Sequence, residues 1–188
     1  MEKRFYVIRH GKTDWNAEFR LQGRTDIPLN EEGRQMARDA AEEVRGMNFD
    51  ICYCSPLKRA RETAEILLEG TEVPILFEDR LKEMSFGVYE GYEFIFEHPE
   101  YPIYKLFKDP LNYETVLEGE SYEELFARTG SFIREVVLPE VEQGRKVLIV
   151  GHGAMNNSII SQAGHIPLER FWEIGIPNCG LKEVIWEE

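Results

Sequence analysis

Lys146-Val147-Leu148-Ile149-Val150-Gly151-His152-Gly153 is the stretch on which the fold turns. Four consecutive apolar residues, Val147 to Val150, read as a strand buried on both faces, and such strands belong to parallel sheets covered by helices on both sides. The run stops at Gly-His-Gly, and a helix from about Ala154 to Ala163 follows at once. A second run has the same form: Phe5-Tyr6-Val7-Ile8 ends in Arg9-His10-Gly11-Lys12-Thr13. Ligands of open α/β sheets bind outside the carboxyl ends of the strands. Two strands therefore each deliver a histidine next to a glycine where chemistry is expected. Neighbouring strands lie about 4.8 Å apart, close enough for two imidazoles to share one pocket. Arg9 beside His10 suits an oxyanion, because a guanidinium is a rigid fork for phosphate oxygens.

The other segments alternate between strand and helix. Thr13-Asp14 is compatible with a helix N-cap. The segment from Leu21 to Leu29, with Gly23 and Pro28, is a polar loop close enough to His10 to fold over the same pocket. Glu31 to about Arg45 is an amphipathic helix whose expected apolar stripe is Met36, Ala40 and Val44. Asp50 to Cys54 is a strand, after which Ser55-Pro56 has the form of an N-cap followed by a proline at the first helical position. The helix it opens, Leu57 to about Leu68, carries Lys58, Arg59 and Arg61 in its first turn. Cations there oppose the macrodipole, whereas an anion is welcome. Lys58 and Arg61 read as a solvated face, Arg59 as a group turned toward a bound anion. Pro74 to Phe77 is a short strand. From 88 to 119 the pattern degrades into aromatic residues between Pro99, Pro102 and Pro110, the composition of a small helical lid insertion. Ser121-Tyr122-Glu123-Glu124 is a capping box for a helix to about Val137, with Pro139 at its end or at a kink. Leu181 to Trp186 is a last strand. The expected fold is α/β, three layers α/β/α about a largely parallel central sheet, in a single domain over 1–188.

With 188 residues, 43% hydrophobic and 30% charged, the chain is long enough for a full core, and its composition argues against disorder. No apolar stretch approaches the roughly 20 residues of a membrane span. Cys52 and Cys54 share a strand face and read as small hydrophobes, with neither a second pair nor a nearby histidine for a metal. Together with the absence of a secretory segment, this points to the cytoplasm. A net charge of −13 excludes nucleic acid and anionic membranes as natural partners. It also requires that any anionic substrate be met by locally concentrated cations. His98 and His165, in a proline-flanked and a helix-end stretch, read as surface residues.

Arg9-His10-Gly11-Lys12-Thr13, Trp15-Asn16, Gln22-Gly23, Ser55-Pro56-Leu57-Lys58-Arg59-Ala60, Leu81-Lys82-Glu83-Met84-Ser85-Phe86-Gly87 and Gly151-His152-Gly153, in that order along nearly the whole chain, resemble the histidine phosphatase superfamily, and within it the phosphoglycerate mutase-like branch. The resemblance implies a phosphohistidine mechanism with neither metal nor other cofactor. By it, His10 is the nucleophile. Arg9, Arg59 and His152 bind the phosphate and stabilise the transferring group. Asn16, Gln22 and Gly23 add hydrogen bonds, Gly153 belongs to the phosphate-binding set, and Glu83 is the proton donor that later activates water. Phosphoryl transfer asks for such positioning and charge stabilisation. Lys12 departs from the family, which commonly has Glu or Gln there; it either adds a cation beside the pocket or points to solvent.

Thr13 and Gly153 stand where the acid phosphatase branch carries Arg and Asp, which disfavours that branch. The short chain and Gly119-Glu120-Ser121 resemble phosphatase members, including α-ribazole phosphatase-like ones, more than phosphoglycerate mutases, which are usually longer. The expected activity is hydrolysis of small phosphomonoesters from a phosphorylated metabolite, in a monomer or homodimer. The alternatives are a cofactor-dependent phosphoglycerate mutase and an inactive member that binds a phospho-ligand.

Overall fold

Every residue of β4 (Val147–Gly151) is buried, as a strand covered on both faces must be. The computed structural model describes residues 2–187. Its sheet has the order β3-β2-β4-β1-β5, with β1 at Lys3–Arg9, β2 at Ile51–Cys54, β3 at Ile75–Phe77 and β5 at Leu181–Trp186. The pairs β1–β4, β4–β2 and β2–β3 are parallel, and only β5 runs antiparallel, along the outer edge of β1. The largely parallel sheet expected from the sequence is the one observed.

Helices lie on both faces. Phe5, Val7, Ile149 and Tyr53 pack on one side against Phe132, Ile133, Val137, Met155 and Ile159. These come from α5 (Tyr122–Phe132), the π-helical turn Ile133–Val137, and α7 (Gly153–Ala163). Ile8, Cys52, Cys54, Leu148 and Val150 pack on the other side against α2 (Glu31–Gly46) and α3 (Lys58–Leu67), through Val44, Ala60, Ala64 and Leu67. Both strand cysteines are thus buried among apolar groups. Each such side chain contributes roughly 1.5–3 kcal/mol of burial free energy. A third cluster, including Met84, Phe86, Ile95, Ile103, Leu106, Leu125 and Phe171, lies where short helical turns and α4 (Tyr104–Lys108) replace regular structure between 87 and 119. Among the described residues no helix is long and apolar enough to cross a membrane.

Two local expectations are corrected. The buried face of α2 is Gly33, Ala37, Ala41 and Val44, with Met36 and Ala40 on its shoulder. The cause is Gly33: a Cβ there would sit 2.0 Å from the Lys12 carbonyl oxygen, and one on Gly11 would sit 2.5 Å from the Gly33 oxygen. The two backbones meet with no side chain between them, and this contact fixes which face of α2 turns inward. The second correction concerns α3, whose N-cap lies two residues later than Ser55-Pro56 suggests. Leu57 is its N-cap without a side-chain cap, and Asp26 accepts the Lys58 N–H at 2.7 Å instead. Of the two alternatives at Pro139, an end or a kink, the structure shows an interrupted helix that goes on. A π turn widens the backbone, and α6 (Leu138–Glu142) resumes with Pro139 in its first turn, where no N–H is needed.

Candidate active site

The in-register parallel pairing of Arg9 with Gly151 brings His10 and His152 out of the sheet side by side. The His10 N–H donates to the Gly151 carbonyl at 2.9 Å, and the two ring centroids are 5.2 Å apart. His10 Nδ1 lies 2.6 Å from the Gly11 carbonyl. A carbonyl only accepts, so Nδ1 carries the hydrogen and Nε2 keeps its lone pair. Burial, then the Arg59 and Arg9 charges, hold His10 well below the usual histidine range; burial, Arg59 and His10 do the same to His152. Both are neutral imidazoles.

Among the described residues the two arginines are held by main chain and form no ion pair with a carboxylate. Arg9 Nη1 donates to the Ile176 carbonyl at 3.0 Å. Arg59, 1% exposed, donates from Nη1 to Thr25 O at 2.9 Å and from Nη2 to Gly23 O at 2.6 Å. Burial, only partly offset by Glu83, lowers Arg59 to about 10, so it remains charged at neutral pH. The Nε of each arginine and Nδ1 of His152 are buried without a partner. An unsatisfied buried donor costs about 1–3 kcal/mol. Three of them around one imidazole mark a place prepared for an anion.

Glu83 comes from the segment after β3 and docks on the N-terminus of α7. Its Oε1 accepts from Met84 N at 2.8 Å and Met155 N at 2.9 Å, and its Oε2 from Ala154 N at 3.1 Å. Thr13 caps α1 (Asp14–Ala17) through a capping box with Asn16 and orients two amides. Its N–H donates to Asn16 Oδ1 at 3.1 Å and its hydroxyl to Gln22 Oε1 at 2.8 Å, leaving both amide NH2 groups free to donate.

A cleft of about 220 Å³ is lined by Arg9, His10, Asn16, Gln22, Gly23, Arg59, Glu83 and Gly153, and His152 is fully buried beside His10. The residues singled out in the sequence therefore converge on one place. Lys12 does not join them: its ammonium pairs with Glu32 on α2, 2.9 Å away. His98 and His165 lie away from the cleft. Sequence reasoning missed Arg20, Phe86, Phe96, Phe107, Asn157 and Trp172, which line the outer cleft, and the role of Ser55, whose Oγ is 2.7 Å from His152 Nε2. The aromatic stretch from 88 to 119 was a signal for Phe96 and Phe107; nothing local marks Arg20 or Asn157. Among the described residues no group of three or more His, Cys, Asp or Glu could hold a metal ion.

Comparisons with known proteins show what the chain is similar to. The family described as histidine phosphatase superfamily (branch 1) matches residues 5–188. The uncharacterized phosphatase PhoE of Bacillus subtilis is 39% identical over 83% of this chain and 75% of its own. The probable phosphoglycerate mutase GpmB of Escherichia coli is 31% identical over 97% and 85%. Among solved structures, a mycobacterial glucosyl-3-phosphoglycerate phosphatase complexed with VO3 superimposes with a TM-score of 0.83, at 29% identity, over 96% of this chain and 92% of that one.

Proposed function

The chain belongs to the histidine phosphatase superfamily, and from that premise we propose that this phosphomonoester hydrolase cleaves small phosphomonoesters through a phosphohistidine on His10, without a metal. One observation carries the reading: His10 is held with its Nε2 lone pair free beside two guanidiniums that, among the described residues, form no ion pair with a carboxylate. The cleft, smaller than the roughly 300–1,000 Å³ of drug-sized sites, suits a small ester.

The steps follow from the groups present. The ester phosphate enters against Arg9, Arg59, the Asn16 and Gln22 amides and His152. His10 Nε2 attacks phosphorus as the ester P–O bond breaks, and protonated Glu83 gives its proton to the leaving oxygen. Water then attacks the phosphohistidine in line, the Glu83 carboxylate takes the water proton, and the P–N bond breaks to restore neutral His10. The arginines stabilise the charge on the equatorial oxygens in both halves. The 88–119 segment acts as the lid that selects the alcohol, and the three reduced thiols suit a cytoplasmic enzyme.

The test is phosphate release from a panel of monoesters in EDTA, with the phosphoenzyme trapped by rapid quench. His10→Ala is expected to abolish both signals, with at least about a 10³-fold loss of kcat. Glu83→Gln is expected to slow alkyl esters by about 10²-fold and 4-nitrophenyl phosphate, whose leaving group needs no proton, much less. Likeness to GpmB supports a second reading, and isomerisation of 3-phosphoglycerate without net hydrolysis would establish it. A chain that binds phosphate yet turns over no ester would be an inactive member.

A further inference from the structure

Beyond the phosphate cradle, the outer cleft is largely apolar, and the one further cation in its lining among the described residues is paired with carboxylates. We infer that the alcohol part of the substrate is uncharged with an apolar or aromatic face, and that the site discriminates against esters bearing a second anion. This rests on the phosphatase reading of the same cleft.

One wall is aromatic. The Phe96 and Phe107 rings are 4.9 Å apart, Phe107 and Trp172 are 4.6 Å apart, and Phe86 adjoins Phe107 at 5.8 Å. The Trp172 indole N–H is already spent on the Leu106 carbonyl and the Tyr122 hydroxyl, at 2.6 and 2.7 Å, so this ring can offer a ligand only its apolar surface. Leu21 and Ile176 add to the apolar lining. The side chain of Phe96, although part of the wall, is 55% exposed, unburied area that a bound apolar group would cover.

The polar groups of the outer cleft do not suit an anion. Among the described residues Arg20 is the one cation lining it besides Arg9 and Arg59, and three of its five N–H groups are committed, two of them to carboxylates. Nε pairs with Glu18 at 2.5 Å, one Nη with Glu93 at 2.5 Å, and the other donates to Gly91 O at 3.1 Å. Two carboxylates around one guanidinium leave a net negative site. Asn157 Nδ2 gives one of its two hydrogens to the Phe171 carbonyl at 3.1 Å, and its own carbonyl oxygen has no partner among the described residues. That oxygen repels an anion and is available to a hydroxyl or N–H. Lys12 and Arg24 face elsewhere, toward Glu32 and Glu120. Lys108 lies over the Phe96 ring, 5.3 Å from its centroid, and does not line the cleft.

Burying an aromatic face is favourable, whereas a carboxylate placed here loses hydration without gaining a partner. The experiment compares two phosphonates that cannot be hydrolysed, benzylphosphonate and 3-phosphonopropionate, by calorimetry on the wild-type chain. Benzylphosphonate is expected to bind at least about tenfold more tightly. Phe96→Ala should narrow the ratio, and Glu18→Gln with Glu93→Gln, which frees Arg20, should narrow it from the other side by improving 3-phosphonopropionate. Equal, reversed or undetectable binding of benzylphosphonate overturns the inference, including the case in which Lys108 holds the second anion. Because binding is read without turnover, failure of the phosphohistidine reading shows separately, as ester hydrolysis that survives His10→Ala.

Discussion

Ser55 has one hydroxyl hydrogen and one place to send it. Its Oγ accepts from Leu57 N at 3.3 Å, and the acceptor within reach among the described residues is His152 Nε2 at 2.7 Å. His152 is neutral, so Nε2 is its lone-pair nitrogen and Nδ1, buried without a partner, carries the hydrogen. The serine thus presets His152 with its Nδ1–H free to donate, as Gly11 leaves the Nε2 lone pair of His10 free; in the proposed reading the first meets a phosphate oxygen and the second attacks phosphorus. Ser55→Ala is expected to let His152 populate the Nε2–H tautomer, read directly from its imidazole ¹⁵N shifts. KM for phosphate esters should rise about tenfold, the cost of one well-placed hydrogen bond. Ser55→Thr should restore both readouts; unchanged shifts in Ser55→Ala would show that the hydroxyl does not set the tautomer. In the sequence Ser55 reads as an N-cap because Ser-Pro is the local signature of one. Its true partner is 97 residues away, beyond the reach of any local rule.

At the scale of elements, the loop after α1 is clamped from the far side by Glu90. One carboxylate oxygen accepts from Arg24 N at 2.9 Å and Phe86 N at 3.1 Å, and the other from Thr25 N at 2.9 Å and the Thr25 hydroxyl. The loop in turn offers Gly23 O and Thr25 O to Arg59, so Glu90 orients that guanidinium through the main chain. Gly23 has φ +56°, and a Cβ on it would sit 2.1 Å from Glu90 Oε1. Gly23→Ala therefore meets both strain and collision. Glu90→Gln and Gly23→Ala are each expected to raise KM by about tenfold with a smaller change in kcat, since they loosen phosphate positioning and leave His10 and Glu83 in place. A fall in kcat at constant KM would contradict this. The strands were legible because β1 and β4 carry a local apolar signature that tertiary packing only confirms. The inward face of α2 was not, because the Gly11–Gly33 backbone contact overrides the hydrophobic period. Nor was the outer cleft, whose walls come from four segments distant in the chain. The nine site residues were placed by resemblance as much as by residue chemistry: Glu83 alone has no local feature that separates it from a surface glutamate.

Over the whole molecule, two buried neutral imidazoles in a chain of net charge −13 make stability depend on pH in a definite window. Burial and the neighbouring arginines hold the folded pKa of His10 and His152 well below 6.5, whereas in the unfolded chain both titrate near 6.5. Between those values the unfolded state binds more protons, so acidification favours unfolding. The stability is fully present above about pH 6.5 and falls as pH drops below it. Each histidine contributes a slope of up to about 1.4 kcal/mol per pH unit, roughly 2.7 for the pair. Hydrogen bonds hold Glu31, Glu78, Glu100 and Glu124 below 4.5, so these four carboxylates act below the window. Urea unfolding at pH 5.5 and 7.5 is expected to show wild type losing stability on acidification, and His10→Gln losing about half as much. The absolute stability of that variant is immaterial, because only the difference between the two pH values is read. Equal losses in the two proteins would mean that His10 is protonated in the folded state. It would then have no lone pair with which to attack phosphorus at pH 5.5, so this thermodynamic measurement also bears on the proposed nucleophile.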